Sequence, residues 1–231
     1  MQAETPLPKE SKTVESWPQI VEWAKAHYRD RTFEKDEPIP ARPGLLYLVQ
    51  EGAIRLVGKA QVNAEGKDMN EDRSQWLRHN NEEAFLGFIG AGEPFEIVSQ
   101  SPFGMYAYAH ESPTTVVWLY WHDLDNWGNF RQEVLEAFRH QLQRKLLWLS
   151  TLGQKRTIDQ LLGFLSLLIE EYGVEIAEGS CLPYALTHAQ IGSAIGSTRV
   201  TVTRLMGRLR QNGSIGIKDD NLIYLPTPHQ Q

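Results

Sequence analysis

The chain has 231 residues, of which 41% are hydrophobic, and its net charge is −6. This length is enough for one or two hydrophobic cores, and the net acidity excludes a protein that coats nucleic acid along its whole surface. Cys181 is the single cysteine, which excludes a disulfide framework and a thiolate-ligated metal cluster. No apolar run reaches the ~18 residues of a membrane span, and residues 1–8 lack signal-peptide features. The sequence therefore predicts a cytoplasmic protein without a membrane partner.

The first half of the chain predicts a β domain. Residues 1–15 are polar and predict a disordered tail, and a short helix is expected from Ser16 to Tyr28. Short β-like segments separated by turn residues then follow one another as far as Leu119, which indicates an antiparallel sandwich, barrel or jelly roll within residues 16–124. The clearest segments are Leu45–Gln50, Ala53–Val57, Ala84–Ile89 and Thr115–Leu119. The polar stretch Asn63–Asn81 predicts a long loop or a hairpin tip.

A long helix is predicted next, from Asp125 or Asn129 to Leu152. One of its faces carries an apolar stripe at spacings of three and four, formed by Phe130, Val134, Phe138, Leu142, Leu146 and Leu149. Such a stripe packs either against a copy of itself, as in a coiled coil, or against its own domain. We assign residues 125–153 to a dimerisation helix and keep the second possibility open.

Residues 186–209 predict a helix-turn-helix. A further helix, Lys155–Tyr172, precedes it. Thr187 can cap the first helix of the pair, Gln190 completes a capping box, and Gly196 ends that helix. Ser197 or Thr198 caps the second helix, whose apolar residues recur at three and four. Beyond it, residues 214–218 and 222–225 predict a β-hairpin, or wing.

The outer face of the second helix carries Arg199, Thr201, Thr203, Arg204 and Arg208. Arginine pairs in bidentate fashion with guanine, and threonine hydroxyls suit phosphate oxygens. An ordinary amphipathic helix with solvated arginines is the alternative. Residues 186–231 carry a net charge of +3, however, whereas the other 185 residues carry −9. This local charge favours double-stranded DNA as a partner. The predicted DNA contacts are Thr187, His188, Gln190, Ser197, Thr198, Arg199, Val200, Thr201, Thr203, Arg204 and Arg208.

The expected fold is therefore α+β: an antiparallel β-roll, a long dimerisation helix, and a winged helix-turn-helix domain over residues 154–231. The order of these parts resembles the CRP/FNR family of bacterial transcription regulators. The decapeptide Gly196–Leu205, GSTRVTVTRL, is similar to the recognition helix of the cyanobacterial nitrogen regulators in that family. Leu45–Val57 and Gly92–Phe95 are similar to the strand–turn–strand and the GE-x-F element of the family's cyclic-nucleotide-binding-like domain.

The resemblance implies a homodimer that regulates transcription from a palindromic DNA site, with RNA polymerase as a further partner. Two recognition helices would lie in successive major grooves. Where the family often has a glutamate that accepts from cytosine, this chain has Val200, which can contact a thymine methyl. We therefore expect a site of the GTA-N8-TAC kind rather than the TGTGA kind, and a glutamate at position 200 to shift the preference.

The effector side departs from the family. Cyclic-nucleotide binders carry an Arg–Ser or Arg–Thr pair where this chain has PFGMYAYA, residues 102–109, so a cyclic nucleotide is not expected. One cysteine cannot hold the family's iron–sulfur cluster. His110 and His122 are available to haem, but lone histidines on a β domain are usually packed or exposed. The resemblance implies that 2-oxoglutarate would be bound by a β-roll arginine and by charged residues of the long helix, where Arg139 and Arg144 lie, but residues 102–109 lack that arginine. The predicted pocket comprises Phe95, Phe103, Tyr106, Tyr108, Arg139 and Arg144, and holds either an unknown small-molecule effector or no ligand.

No enzyme motif is present in the sequence. Residues 87–92 hold three glycines without the G-x-G-x-x-G spacing, and P-loop, H-E-x-x-H and G-x-S-x-G motifs are lacking. We expect no catalytic residue, metal site or cofactor. The alternative function is a protein-interaction module that kept the fold while DNA binding weakened or was lost.

Overall fold

The structure, a computed structural model, describes residues 17–40, 42, 44–60, 83–100, 103–218 and 221–227. The predicted tail and the stretch Asn63–Asn81 lie outside these residues. The architecture is α+β, as predicted, with an antiparallel β-roll, a long helix and a carboxy-terminal winged-helix module. Among the described residues, no helix has the length and apolar character needed to cross a bilayer.

The β-roll consists of two sheets in which every pairing is antiparallel. Helix α1, Trp17–Ala26, precedes it. The first sheet has the order β1, Asp30–Phe33; β9, Thr114–Tyr120; β3, Leu45–Glu51; and β6, Pro94–Phe95. The second has the order β2, Pro38–Ile39; β8, Phe103–Ala109; β4, Ala53–Ala60; and β5, Ala84–Gly90, with β7, Ser99–Gln100, beside β8. The four strands that the sequence predicted most clearly are β3, β4, β5 and β9.

Strand β3 is buried on both faces. Tyr47 and Val49 face the core between the two sheets, whereas Leu46 and Leu48 face a second core formed with α1 and the start of the long helix. A strand covered on both sides needs apolar residues at every position, because successive side chains point to opposite faces. This explains why β3 reads as a continuous run, LLYLV, instead of an alternating pattern.

The long helix α2 spans Gly128–Leu152, after a 3-10 helix at Trp121–Asn126. The predicted stripe along it divides into two parts. Phe130 and Val134 are 0% and 2% exposed and pack beside α1, and Phe138 is partly buried against the same core. Their assignment to a dimer contact is therefore corrected: these side chains already fill the core of their own domain. The later part of the stripe, at Leu142, Leu146 and Leu149, is exposed.

The winged-helix module follows α2. Its helices are α3, Thr157–Tyr172; α4, His188–Ala194; and α5, Arg199–Gln211. Its sheet has the order β10, Val174–Ile176; β11, Gly179–Cys181; β13, Ile223–Pro226; and β12, Gly216–Ile217. Strands β12 and β13 form the predicted wing. Strands β10 and β11 were not predicted, because three-residue strands such as VEI and GSC carry no periodicity.

A bulge in β5 joins the β-roll to the winged-helix module. The register shifts so that Leu56 lies opposite Gly87 and Val57 opposite Phe85, which skips Leu86. Gly87 has φ of 123°, a conformation that side chains disfavour. Without the extra residue, Phe85 and Phe88 would point to opposite faces. With it, both enter the core of the winged-helix module.

The backbone of β5 is also hydrogen-bonded by side chains from outside its sheet, since β5 lies at the sheet's edge. The Phe85 amide donates to Oγ of Ser193 on α4 at 3.0 Å. Nζ of Lys145 on α2 donates to the Leu86 carbonyl, and the Tyr172 hydroxyl at the end of α3 donates to the Phe88 carbonyl at 2.8 Å. We call these three bonds the β5 edge contacts. They satisfy buried backbone groups that would otherwise be unpaired, and they hold the module against the β-roll.

We expect Ser193→Ala to destabilise the protein, because it leaves the amide of the buried Phe85 without an acceptor. An unpaired buried donor costs about 1–3 kcal/mol. The measurement is the urea unfolding midpoint at fixed protein concentration. Ser150→Ala, at an exposed position of α2, is the matched control and should shift stability by less than about 0.5 kcal/mol. Equal midpoints for the two variants would show that the edge contact contributes nothing.

Candidate nucleic-acid interface

Both helices of the helix-turn-helix begin at threonine caps. Thr187 Oγ1 accepts from the Gln190 amide at 3.2 Å, and the Gln190 side chain accepts from the Thr187 amide at 2.9 Å, which is the predicted capping box. Thr198, rather than Ser197, caps α5, since its Oγ1 accepts from the Thr201 amide at 3.2 Å. The caps satisfy amides that a helix start leaves unpaired and fix where each helix begins.

The turn between α4 and α5 depends on a close backbone approach at Gly192. The Ser197 amide donates to the Gly192 carbonyl at 2.8 Å, and a Cβ at position 192 would lie 2.7 Å from the Ser197 carbonyl oxygen. The sequence argument missed this residue, although an isolated glycine inside a helical pattern is a recognised signal of close packing. Gly196 has φ of 65°, consistent with its predicted role in ending α4.

Helix α5 divides into a buried face and an exposed face. The buried side chains, which pack on α3 and α4, are Val202, Leu205, Met206 and Leu209. Val200 is 78% exposed, and Arg199, Arg204 and Arg208 are exposed as well. Val200 is thus an exposed apolar side chain that lies between Arg199 and Arg204 in the first turns of the helix.

Thr203 helps to fix the position of α4 relative to α5. Its hydroxyl donates to the Arg199 carbonyl at 2.9 Å and lies 2.8 Å from Nδ1 of His188 on α4. The hydroxyl of Thr203 is thus engaged within the helix pair, and its contact with a phosphate stays a prediction. Thr203 acts as a positioning residue that ties the start of α4 to α5.

The arginines of α5 differ from most of the other described arginines in their electrostatic environment. In the part of the chain that the structure describes, Arg199, Arg204 and Arg208 have no carboxylate in ion-pair contact. The paired arginines elsewhere are Arg29, Arg31, Arg55, Arg131, Arg139, Arg144 and Arg156. The exposed face of α5 therefore presents uncompensated positive charge on a protein of net charge −6.

A polar cleft of about 670 Å³ separates this surface from the β-roll. The helix-turn-helix side is lined by Thr187, His188, Gln190 and Arg199, and the β-roll side by Lys35, Asp36, Arg55 and His110. Asn221 of the wing lies at the same cleft. Three separate parts of the chain thus border one positively charged recess.

The residues predicted to form the aromatic pocket are divided: among the described ones, Phe95 and Arg144 line one cavity, and the others lie elsewhere. Phe95 is 1% exposed and stacks on Tyr47 in the core between the sheets, at 5.1 Å between ring centroids. Tyr106 and Tyr108 lie on the opposite face of β8, where the Lys59 ammonium lies over both rings. Alternation along β8 places these tyrosines away from the core. The side chain of Phe103 is outside the described part of the structure.

The two arginines assigned to that pocket have other roles. Arg139 is exposed and pairs with Glu136 one turn away on the same helix. Arg144 joins α2 to α3, because its guanidinium bonds Glu170 at 3.1 Å, Glu171 at 3.3 Å and the Leu167 carbonyl. Neither has a free guanidinium for an effector.

An apolar cavity of about 330 Å³ lies instead where the β-roll, α2 and α3 meet. It is lined mainly by apolar side chains, among them Phe95, Met105 and Phe138, and by the charged groups of Glu96, Arg144, Lys145 and Glu171. Burial lowers the pKa of Lys145, opposed by the nearby Glu171 and Glu93. Burial raises the pKa of Glu93, the glutamate of the GE-x-F element, whose carboxylate accepts from the Gly90 amide at 2.7 Å.

The histidines considered as haem ligands have different environments. His110 is 6% exposed, and burial lowers its pKa to about 4, so the ring is neutral near pH 7. Its Nε2 lies 3.0 Å from the Ala185 carbonyl just before α4. His122 is exposed beside Asp123. His110 is thus a contact between the β-roll and the winged-helix module.

Comparison with known proteins agrees with this geometry. A family model described as a Crp-like helix-turn-helix domain matches residues 146–230. This stretch is thus similar to Crp-like helix-turn-helix domains, and we call its described part the Crp-like domain. The global nitrogen regulator of Nostoc sp. is 37% identical over 84 residues, which cover 36% of this chain and 38% of the regulator. The chain thus matches well under half the length of this relative.

Solved structures extend the likeness in fold to most of the chain. A CRP-family transcriptional regulator from Thermus thermophilus, TTHB099, aligns over 85% of this chain and 92% of its own, with a TM-score of 0.60 and 19% identity. A cyclic nucleotide-binding domain containing protein of Listeria monocytogenes aligns over 90% and 96%, with a TM-score of 0.64 and 12% identity. The resemblance to CRP/FNR regulators is confirmed, by sequence in the Crp-like domain and by fold over the β-roll and α2.

Proposed function

We propose that the protein is a transcription regulator that binds double-stranded DNA in a sequence-specific manner. The observation that carries this proposal is the exposed face of α5, where three arginines without ion-pair partners among the described residues flank an open valine. The alternative is an ordinary amphipathic helix with solvated arginines. It does not explain why the Thr198 cap, the close turn at Gly192 and the buried face of α5 together hold the arginine face of this helix toward solvent.

The preferred DNA site follows from the first turns of α5. Arg199 and Arg204 would each pair with guanine through O6 and N7, and Val200 would contact a thymine methyl. A valine has no acceptor for the cytosine amino group, so half-sites of the GTA kind fit better than TGTGA. Thr187, His188, Gln190, Ser197, Thr198 and Thr201 would position the helix pair against the phosphates.

The proposed working form is a homodimer joined along the exposed leucines of α2. Leu135, Leu142 and Leu149 recur every seven residues and are 47%, 61% and 62% exposed, and Leu146 beside them is 57% exposed. A heptad repeat of exposed leucines is the surface that a parallel helix pair buries. Two copies of the Crp-like domain would then face a palindrome.

The proposed regulator is effector-independent, because the described side chains predicted to form an effector pocket lie in the core or are engaged in other contacts. If an effector exists, the cavity beside Lys145 favours a largely apolar molecule over a cyclic nucleotide, since the paired guanidinium of Arg144 offers no phosphate site. An apolar effector would act by changing the contacts of α2 with the β-roll.

The first test is equilibrium binding, without ligand, to labelled duplexes containing GTA-N8-TAC, TGTGA or a scrambled sequence at one salt concentration. We expect at least about 100-fold preference for the first duplex over the scrambled one. Arg204→Lys should lose about tenfold of that preference, because lysine keeps the charge but not the bidentate pairing. Arg131→Lys, on α2, is the matched control. Equal binding to all three duplexes would contradict sequence-specific recognition and favour a protein-interaction role.

The role of position 200 is tested in the same assay. We expect Val200→Glu to lower the affinity for the GTA-N8-TAC duplex and to raise the affinity for the TGTGA duplex, each by about tenfold. The reason is that a carboxylate accepts a hydrogen bond from the cytosine amino group. Val200→Ala removes the methyl contact without adding an acceptor, so it should still prefer GTA to TGTGA. An unchanged preference in Val200→Glu would refute the half-site assignment.

The dimer is tested by Leu149→Glu, which places a charge in the leucine stripe. We expect dissociation into monomers at micromolar concentration in analytical ultracentrifugation, because a buried unpaired carboxylate opposes association. Leu147→Glu is the matched control: Leu147 is 49% exposed and lies about 140° around the helix from Leu142. Dimers of equal stability in both variants would exclude this interface.

A further inference from the structure

The imidazole of His188 on α4 is held by a chain of hydrogen bonds that ends on α5. The Thr203 hydroxyl donates its single proton to the Arg199 carbonyl at 2.9 Å. The same oxygen lies 2.8 Å from Nδ1 of His188. A hydroxyl oxygen whose proton is already donated can only accept a hydrogen bond from that nitrogen. Nδ1 of His188 therefore carries a hydrogen and donates to Thr203.

This contact determines what the other ring nitrogen of His188 can do. A neutral imidazole has one N–H, so with the hydrogen on Nδ1 the Nε2 atom presents a lone pair. The imidazolium carries a hydrogen on both nitrogens and can also donate through Nε2. A neutral His188 thus offers an acceptor to its surroundings, and a protonated His188 offers a charged donor.

Nε2 of His188 is open to solvent. Among the described residues it forms no hydrogen bond, and the ring is half-buried. The buried side-chain atoms without a partner, in that same part of the chain, are Oε1 of Gln50 and Nδ1 of His110. Since Nε2 of His188 is not one of them, a ligand that reaches the polar cleft beside α4 can reach this atom.

The protein supplies His188 with no anionic partner. The charged and titratable groups that line the same cleft are Arg199 of α5, Lys35 and Asp36 of the turn between β1 and β2, Arg55 of β4, and His110. Asp36 pairs with Arg55 at 3.0 Å, and burial lowers the pKa of His110 to about 4, so that ring is neutral near pH 7. An anion from outside the protein, such as a phosphate, would therefore stabilise the protonated form of His188.

We propose that His188 takes up a proton from solvent when the protein binds DNA and donates through Nε2 to a backbone phosphate. This inference rests on the proposed function. Histidine is the side chain whose charge ordinarily changes between pH 5 and 8, so the contact can be gained or lost near neutral pH. Because the protonated form makes the contact, DNA affinity rises as the pH falls and decreases as the pH rises. A phosphate contact carries no base information, so the preference among duplexes stays the same.

The experiment measures the affinity for a GTA-N8-TAC duplex at about pH 6 and about pH 8, over a range of salt concentrations. Wild type should bind about fivefold more tightly at the lower pH for each protomer, which is the effect of one phosphate contact at roughly 0.15 M salt. Its slope of log K against log salt should also be steeper there by about 0.9 for each protomer.

Three variants locate the effect. His188→Gln cannot take up a proton, so its affinity and its salt slope should be equal at the two pH values. His188→Arg is always charged and should bind tightly at both. His122→Gln is the matched control: His122 is an exposed histidine beside Asp123, away from the cleft, and this variant should keep the wild-type response.

Substitutions at position 203 test the hydrogen-bond chain. Thr203→Val removes the hydroxyl at nearly equal size, so a neutral His188 can carry its hydrogen on Nε2 and donate without taking up a proton. We expect a smaller difference between the two pH values in this variant. Thr203→Ser keeps the hydroxyl and should retain the wild-type difference.

The outcomes separate this inference from the proposed function. A wild-type protein that binds no duplex at either pH refutes the proposed function itself. Equal wild-type affinity at the two pH values, or a response that persists in His188→Gln, refutes only proton uptake by His188. A response in Thr203→Val as large as in wild type refutes the fixed hydrogen on Nδ1.

Discussion

The bulge at Leu86–Gly87 in β5 is the constraint on which the rest of the structure depends. One extra residue turns Phe85 and Phe88 to the same side, and that side is the core of the winged-helix module. The two domains therefore share one apolar core instead of meeting at a polar surface. Side chains from α2, α3 and α4 also form hydrogen bonds with the backbone of the same strand. Breaking one of these bonds beside the shared core would leave a buried polar group unpaired, which is costly.

This shared core fixes where the charged side chains of the two domains lie relative to each other. Several arginines of the β-roll and α2 are held in ion pairs that tie elements together, such as Arg29 with Asp123 and Arg144 with Glu170. Those of α5 are left to solvent, and the caps and the close turn at Gly192 hold them outward. An acidic protein can in this way present one small cationic surface whose orientation is fixed by the β-roll.

Local features were predictable from the sequence, and features set by long-range pairing were not. The threonine caps, the turn glycine and the wing depend on residues only a few positions apart. They could therefore be predicted from the sequence of Leu186–Leu225 alone. The predicted effector pocket grouped aromatic residues that alternation along β8 separates, because Tyr106 and Tyr108 point away from the core that holds Phe95. The stripe on α2 has one periodicity throughout, so the sequence could not show that α1 covers Phe130 and Val134 but not Leu149. The bulge in β5 has no local signal beyond one glycine.

The central claim is that the Crp-like domain binds DNA while it remains docked on β5. Hydrogen exchange of the Phe85 amide tests this most directly, because that amide is buried and donates to Ser193 across the domain boundary. The account predicts that the amide is protected in the free protein and equally or better protected in the complex with a GTA-N8-TAC duplex. Faster exchange at Phe85 on adding DNA would show that the domain leaves β5 in order to bind, and would contradict the account.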